Sequence, residues 1–184
     1  RNDLWLLIQR TPHLDWVLLT KRPENVHSLV PFRWVDVDWP ANVWIGTSVE
    51  NQEMADRRIP ELMKVPARIR FLSCEPLLGP VDLQPWLHIT GIPATVRVGA
   101  RELPGSFMPF HWVIVGGESG QKARPFYIEW AQDLVKQCDY AGVPVFVKQL
   151  GSNPRQRADL KNANWRLDLR DKKGGDMSEW PPEL

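Results

Sequence analysis

Five compact polar signatures stand out, each placed directly after a short apolar run: Lys21-Arg22, Ser48 with Glu50, Ser73 with Glu75, Gly116-Gly117-Glu118-Ser119, and Lys148-Gln149. These residue types suit binding. Lys21, Arg22 and Lys148 can hold carboxylate or phosphate groups, Glu50, Glu75 and Glu118 an ammonium or hydroxyls, and Ser48, Ser73 and Gln149 supply hydrogen bonds. At Gly116-Gly117 the missing side chains would let a ligand approach the backbone and leave two amides free beside Glu118. None of these groups forms a recognisable catalytic set by itself. Cys74 lies between Ser73 and Glu75 with no histidine placed to activate it, and reads as a small buried hydrophobe. Cys138, in a helical apolar setting, reads the same way. His13, His27, His88 and His111 show no metal-ligand spacing, so this chain is expected to bind no metal by itself.

The elements that must position these groups are legible in the apolar pattern. Runs near 16–20, 43–47, 68–73, 112–116 and 143–147 are apolar on both faces, as buried parallel strands are. Helical patterns stand between them, at 3–10, 24–30, 51–64 and 126–140, with Gly142 as the stop of the last. Alternation of this kind predicts an α/β domain, a parallel partial β/α barrel with right-handed crossovers and helices on its outer face. In such folds ligands sit beyond the carboxyl ends of the strands, where the five signatures fall. Residues 1–151 make up this domain, with an inserted loop or hairpin at about 77–110. Residues 152–184 read as an irregular tail packed on it through Trp165, Leu167 and Trp180.

Composition narrows the setting. The chain has 184 residues, 43% apolar and 24% charged, which suits one globular domain. A net charge of +1 removes any bulk electrostatic case for nucleic acid or an acidic membrane. Two cysteines are too few for a disulfide framework, which makes a reducing cytoplasm the expected compartment. No apolar run approaches the roughly 20 residues of a spanning helix. The ten tryptophans fall mostly inside strand and helix patterns, where core packing accounts for them. Arg1 opens straight into a helical pattern, so an upstream segment is expected.

Several segments together, LLTKRPE, NVWIGTSVENQEMADRRIPEL, RFLSCEPLLGPVDL, WVIVGGESGQKARP, VPVFVKQLG and DKKGGDMSEWP, resemble the phage-associated proteins with a three-cysteine motif. That family is in turn similar to radical-SAM enzymes. The resemblance spans most of the chain except about 84–110. It implies a β/α barrel on which upstream cysteines hold a [4Fe–4S] cluster in the full-length protein, with S-adenosylmethionine as cosubstrate. It also implies cofactor contacts from Ser48, Glu50, Ser73, Glu75, Gly116, Gly117 and Glu118, and substrate contacts from Lys21, Arg22, Lys148 and Gln149. The three-cysteine segment itself is not in these 184 residues, and Cys74 belongs to the SCEP segment. This fragment is therefore not expected to be active alone. The alternative is a noncatalytic module of a phage or mobile-element system that binds nucleic acid through Arg155, Arg157, Lys161, Arg166, Arg170, Lys172 and Lys173. Asp159, Asp168, Asp171 and Asp176 offset much of that charge.

Overall fold

Apolar strands alternate with amphipathic helices, and the two longest described helices hide their apolar sides on the sheet. The computed structural model describes residues 2–87, 95–98, 101–104, 110–157, 164–182 and 184. The first half comprises α1 (Asn2–Arg10), β1 (Trp16–Thr20), a 3-10 turn (Pro23–Asn25), α2 (Val26–Leu29), α3 (Phe32–Asp36), β2 (Val43–Ser48), α4 (Gln52–Met63) and β3 (Ile69–Cys74). After α5 (Gln84–Leu87) come β4 (Thr95–Val98), β5 (Arg101–Pro104), β6 (Trp112–Gly116), β7 (Phe126–Tyr127) and α6 (Ile128–Ala141). The chain ends with β8 (Val145–Gln149), β9 (Pro154–Arg157), β10 (Asn164–Arg166) and a 3-10 turn (Met177–Glu179).

The five expected strands form one sheet in the order β1-β2-β3-β6-β8, every pairing parallel. The molecule is thus a mixed α/β protein around a five-stranded parallel sheet. Strand alternation divides the side chains between two faces. On one face Val43, Ile45, Leu72, Cys74, Val113, Val115 and Val147 join a single cluster with Ala55, Ile59 and Leu62 of α4 and Ala131, Leu134 and Cys138 of α6. The other face carries Trp44, Phe71, Trp112 and Phe146, with Trp112 6.3 Å from Phe71 and 6.4 Å from Phe146 between ring centres. Val17 and Leu19 at one margin of that face and Phe146 at the other are exposed.

Local chemistry explains the helix ends. Asn51 accepts the Met54 N–H at 3.0 Å and caps α4 one residue after the strand-end acid Glu50. Gly142, at φ +68°, stops α6 in the left-handed conformation and returns its N–H to Asp139 and Cys138. Trp34 packs edge-on between Trp5 and Trp39, at 5.1 and 5.6 Å, so these tryptophans serve the core. Among the described residues no helix is long and apolar enough to cross a membrane.

Two local readings change. Phe126-Tyr127 is not the first turn of the helix; it is strand β7, paired parallel to Pro154-Arg155. The tail is less irregular than its composition suggests, since β9 and β10 pair antiparallel and join β7 in a three-stranded sheet. Strands of four and three residues, PRQR and NWR, carry no apolar alternation for a sequence reading to detect. The 77–110 segment contains α5 and the antiparallel pair β4–β5. Leu167, Trp180 and also Leu169 pack the tail against the core, whereas the Trp165 side chain lies outside the described residues.

Candidate functional site

The strand ends meet as ion pairs. β2 runs apolar to Ser48, and Glu50 follows as the chain leaves the sheet, only 7% exposed. Its carboxylate lies 2.7 Å from Lys21 Nζ, at the end of β1, and 2.6 Å from Arg58 Nη1, on α4. Arg58 also donates to the Ser48 carbonyl at 2.8 Å, tying helix to strand end. Burial alone would push the Glu50 carboxyl up. The Lys21 hydrogen bond, its own backbone amide and the charges of Arg58 and Lys21 outweigh burial and hold it below the ordinary carboxylate range.

A second group joins β3, β6 and β8. Glu75, just beyond β3, receives Lys148 at 3.1 Å and the Gln149 amide at 3.2 Å. Gln149 Nε2 is also 3.0 Å from the Gly117 carbonyl and 3.0 Å from Ser119 Oγ. Glu75 lies over Gly116, where a Cβ would stand 3.1 Å from its side chain. The Gly116-Gly117 backbone is therefore occupied by the protein itself: a Cβ on Gly117 would meet the Leu150 carbonyl, and the Gly117 N–H already donates to Gln149 at 2.9 Å. These glycines permit close chain packing, and the two spare amides expected from the sequence are not both free.

Glu118 has a partner of its own. Arg124 donates to it from the backbone N–H, Nε and Nη2, each at 2.9 Å, a forked geometry that brings the carboxyl down to about 2. Glu118 in turn pushes the Arg124 guanidinium up. The Glu118 shift has a consequence for stability. A folded-state value below the unfolded one means the stabilisation is full above the ordinary carboxylate range and is lost as pH falls toward 2. In Arg124→Leu the Glu118 carboxyl should titrate higher than in the wild type in carbon-detected NMR, while the backbone N–H that residue 124 keeps still holds it below its ordinary value. Because the pair is half-exposed and screened, the melting temperature at pH 7 should fall little. A Glu118 titration unchanged by the substitution would reject Arg124 as the cause.

The remaining candidates behave differently. Ser48 and Ser73 are register partners, 2% and 4% exposed, and neither hydroxyl has a hydrogen-bond partner among the described residues. Arg22 is exposed and enters no ion pair among the described residues. Sequence reasoning missed Arg58 and Arg124. Arg58 stands eight residues after Glu50 on the helix that Asn51 starts, and Arg124 follows Glu118 by six within the GGESGQKARP segment, so a search for cations shortly after each acid would have found both.

The cysteines do not suit a cluster. Cys74 and Cys138 are fully buried in the apolar core, and burial pushes the first thiol up and the second up to about 12. Among the described residues no group of three His, Cys, Asp or Glu side chains converges on a common point. The residues present therefore do not fit a [4Fe–4S] group.

No curated protein and no solved structure matches the chain. The model of one family, described as a protein of unknown function, DUF5131, matches residues 1–176, and the chain belongs to that family.

Proposed function

We propose that this chain is the C-terminal part of a radical-SAM-like phage-family enzyme whose partial β/α barrel binds S-adenosylmethionine and a substrate at the carboxyl ends of its strands. The observation that carries the reading is the convergence of opposite charges from separate strands of one parallel sheet: Lys21 with Glu50, and Glu75 with Lys148 and Gln149. A sheet that is parallel and sequential brings every strand end to the same edge, where α/β proteins bind ligands. The donor set at Glu75 and Lys148, one of each sign on a half-exposed rim, fits the ammonium and carboxylate of an amino-acid moiety. S-adenosylmethionine, when bound, supplies an activated sulfonium. The chain's own contribution is positional. Glu75 and Lys148 receive the zwitterion, Gln149 holds Glu75 in place, and Glu118 orients Arg124 rather than meeting the ligand itself.

Equilibrium dialysis of the 184-residue chain against labelled S-adenosylmethionine tests this. Glu75→Gln and Lys148→Met should each weaken binding about tenfold, the scale of a lost charge-assisted contact, with melting temperatures close to wild type. Absence of binding by the wild-type chain at millimolar ligand would reject the reading. The alternative of a nucleic-acid module receives less support, because three tail cations have partners within the chain. Arg155 bonds Asn153, Arg166 the Ser152 carbonyl, and Arg170 the Glu179 carboxylate.

A further inference from the structure

A cavity of about 400 Å³ lies between the Gly120 turn, the β8–β9 junction at Gly151-Ser152, and the chain leaving β10, and none of the strand-end ion pairs lines it. Its charged lining is unequal. Among the described residues Arg166 bonds only the Ser152 carbonyl, at 3.1 Å, and Lys172 has no ion pair. Asp171 also borders the space, but its carboxylate is committed to the backbone N–H groups of Lys173, Gly175 and Asp176, at 3.0, 2.7 and 3.1 Å. Those bonds hold its carboxyl below the ordinary range. Asp168 is the other acid of the lining. Among the described residues, two cations with spare donors thus line the cavity with one uncommitted acid.

The rest of the lining suits an organic anion. Leu167 and Leu169, both half-buried, give an apolar wall. At Gly120, φ +110°, no atom stands within 4 Å of where a side chain would begin, so bare backbone borders open space. Ser152 connects this cavity to the strand-end site. Its N–H donates to the Glu118 carbonyl at 2.8 Å, its hydroxyl receives the Gly120 N–H at 3.0 Å, and that hydroxyl donates to the Lys172 carbonyl at 2.6 Å.

We infer that this cavity is a second binding site, for a small organic phosphate whose anionic group sits between Arg166 and Lys172 and whose apolar portion lies on Leu167 and Leu169. The inference is independent of the S-adenosylmethionine reading, since it shares none of the ion pairs on which that reading rests.

Calorimetric titration of the chain with phenyl phosphate and with inorganic phosphate, at low ionic strength, tests it. Phenyl phosphate should bind several-fold tighter than inorganic phosphate, because only it covers the leucines. Arg166→Met and Lys172→Met should each weaken phenyl phosphate about tenfold. Arg166→Lys should recover part of that loss, which separates charge from folding, and melting curves check each variant. Lys122→Met, an exposed lysine outside the lining, and Lys148→Met at the strand-end site should leave the affinity unchanged. Equal losses in all four methionine variants would mean diffuse attraction to a positive surface and overturn the proposal. So would no preference for the phenyl ester, or no binding at about 10 mM.

Discussion

Gly117→Ala should destabilise the domain by about 3 kcal/mol, lowering the melting temperature by roughly 10 °C for a chain of this size. The new Cβ would lie 2.2 Å from the Leu150 carbonyl oxygen and 2.6 Å from its carbon, and both are backbone atoms that cannot turn aside. Neither chain is free to retreat. Gly117 donates to the Gln149 carbonyl at 2.9 Å, and Leu150 N–H is held by the Gly174 carbonyl at 2.8 Å. The strain should reach the site, because Gln149 and Glu118 flank the two colliding residues. Gly79→Ala is the control: its nearest contact, Asn51 Cβ at 3.5 Å, is ordinary, and urea unfolding should place it within about 0.5 kcal/mol of wild type. A Gly117→Ala protein as stable as the Gly79→Ala control would show that β6 and β8 separate easily at their ends.

Arg58→Met should cost about 3 kcal/mol at pH 7, since it leaves the buried Glu50 carboxylate with Lys21 alone, whose side chain is 62% exposed. The penalty should depend on pH in a defined direction. In the wild type the Glu50 carboxyl lies below its ordinary value, so its stabilisation is present above the unfolded carboxylate range and fades as pH falls through the folded value. In the variant one of the charges that offset burial is gone, and the folded-state value rises relative to the wild type. Destabilisation is then full at neutral pH and is relieved as acid protonates the carboxyl. Urea midpoints of wild type and variant should therefore converge as pH falls through the carboxylate range. Arg58→Met combined with Glu50→Gln should regain most of the loss at pH 7, because no uncompensated charge remains. A penalty that stays constant with pH would assign the effect to lost packing of the arginine stem instead.

The five strands and their common direction were determined by sequence alone. Runs such as VWIGTS and RFLSC are apolar on both faces over lengths too short for helices, and the segments between them carry helical periodicity, so parallel pairing with crossovers is the arrangement that buries both. The polar residue types at the strand ends follow from the same pattern, since an apolar run that leaves the core must end in residues that tolerate water. Partnership was decided only by the tertiary structure. Glu75 and Lys148 are 73 residues apart, and which cation reaches which acid depends on strand order and on the side-chain face at each strand end. The same holds for Gly117, whose lack of a side chain reads as room for a ligand until the Leu150 backbone is seen to occupy that room. The short strands β7, β9 and β10 were also invisible beforehand. Their stability comes from backbone pairing between distant segments rather than from any apolar period of their own.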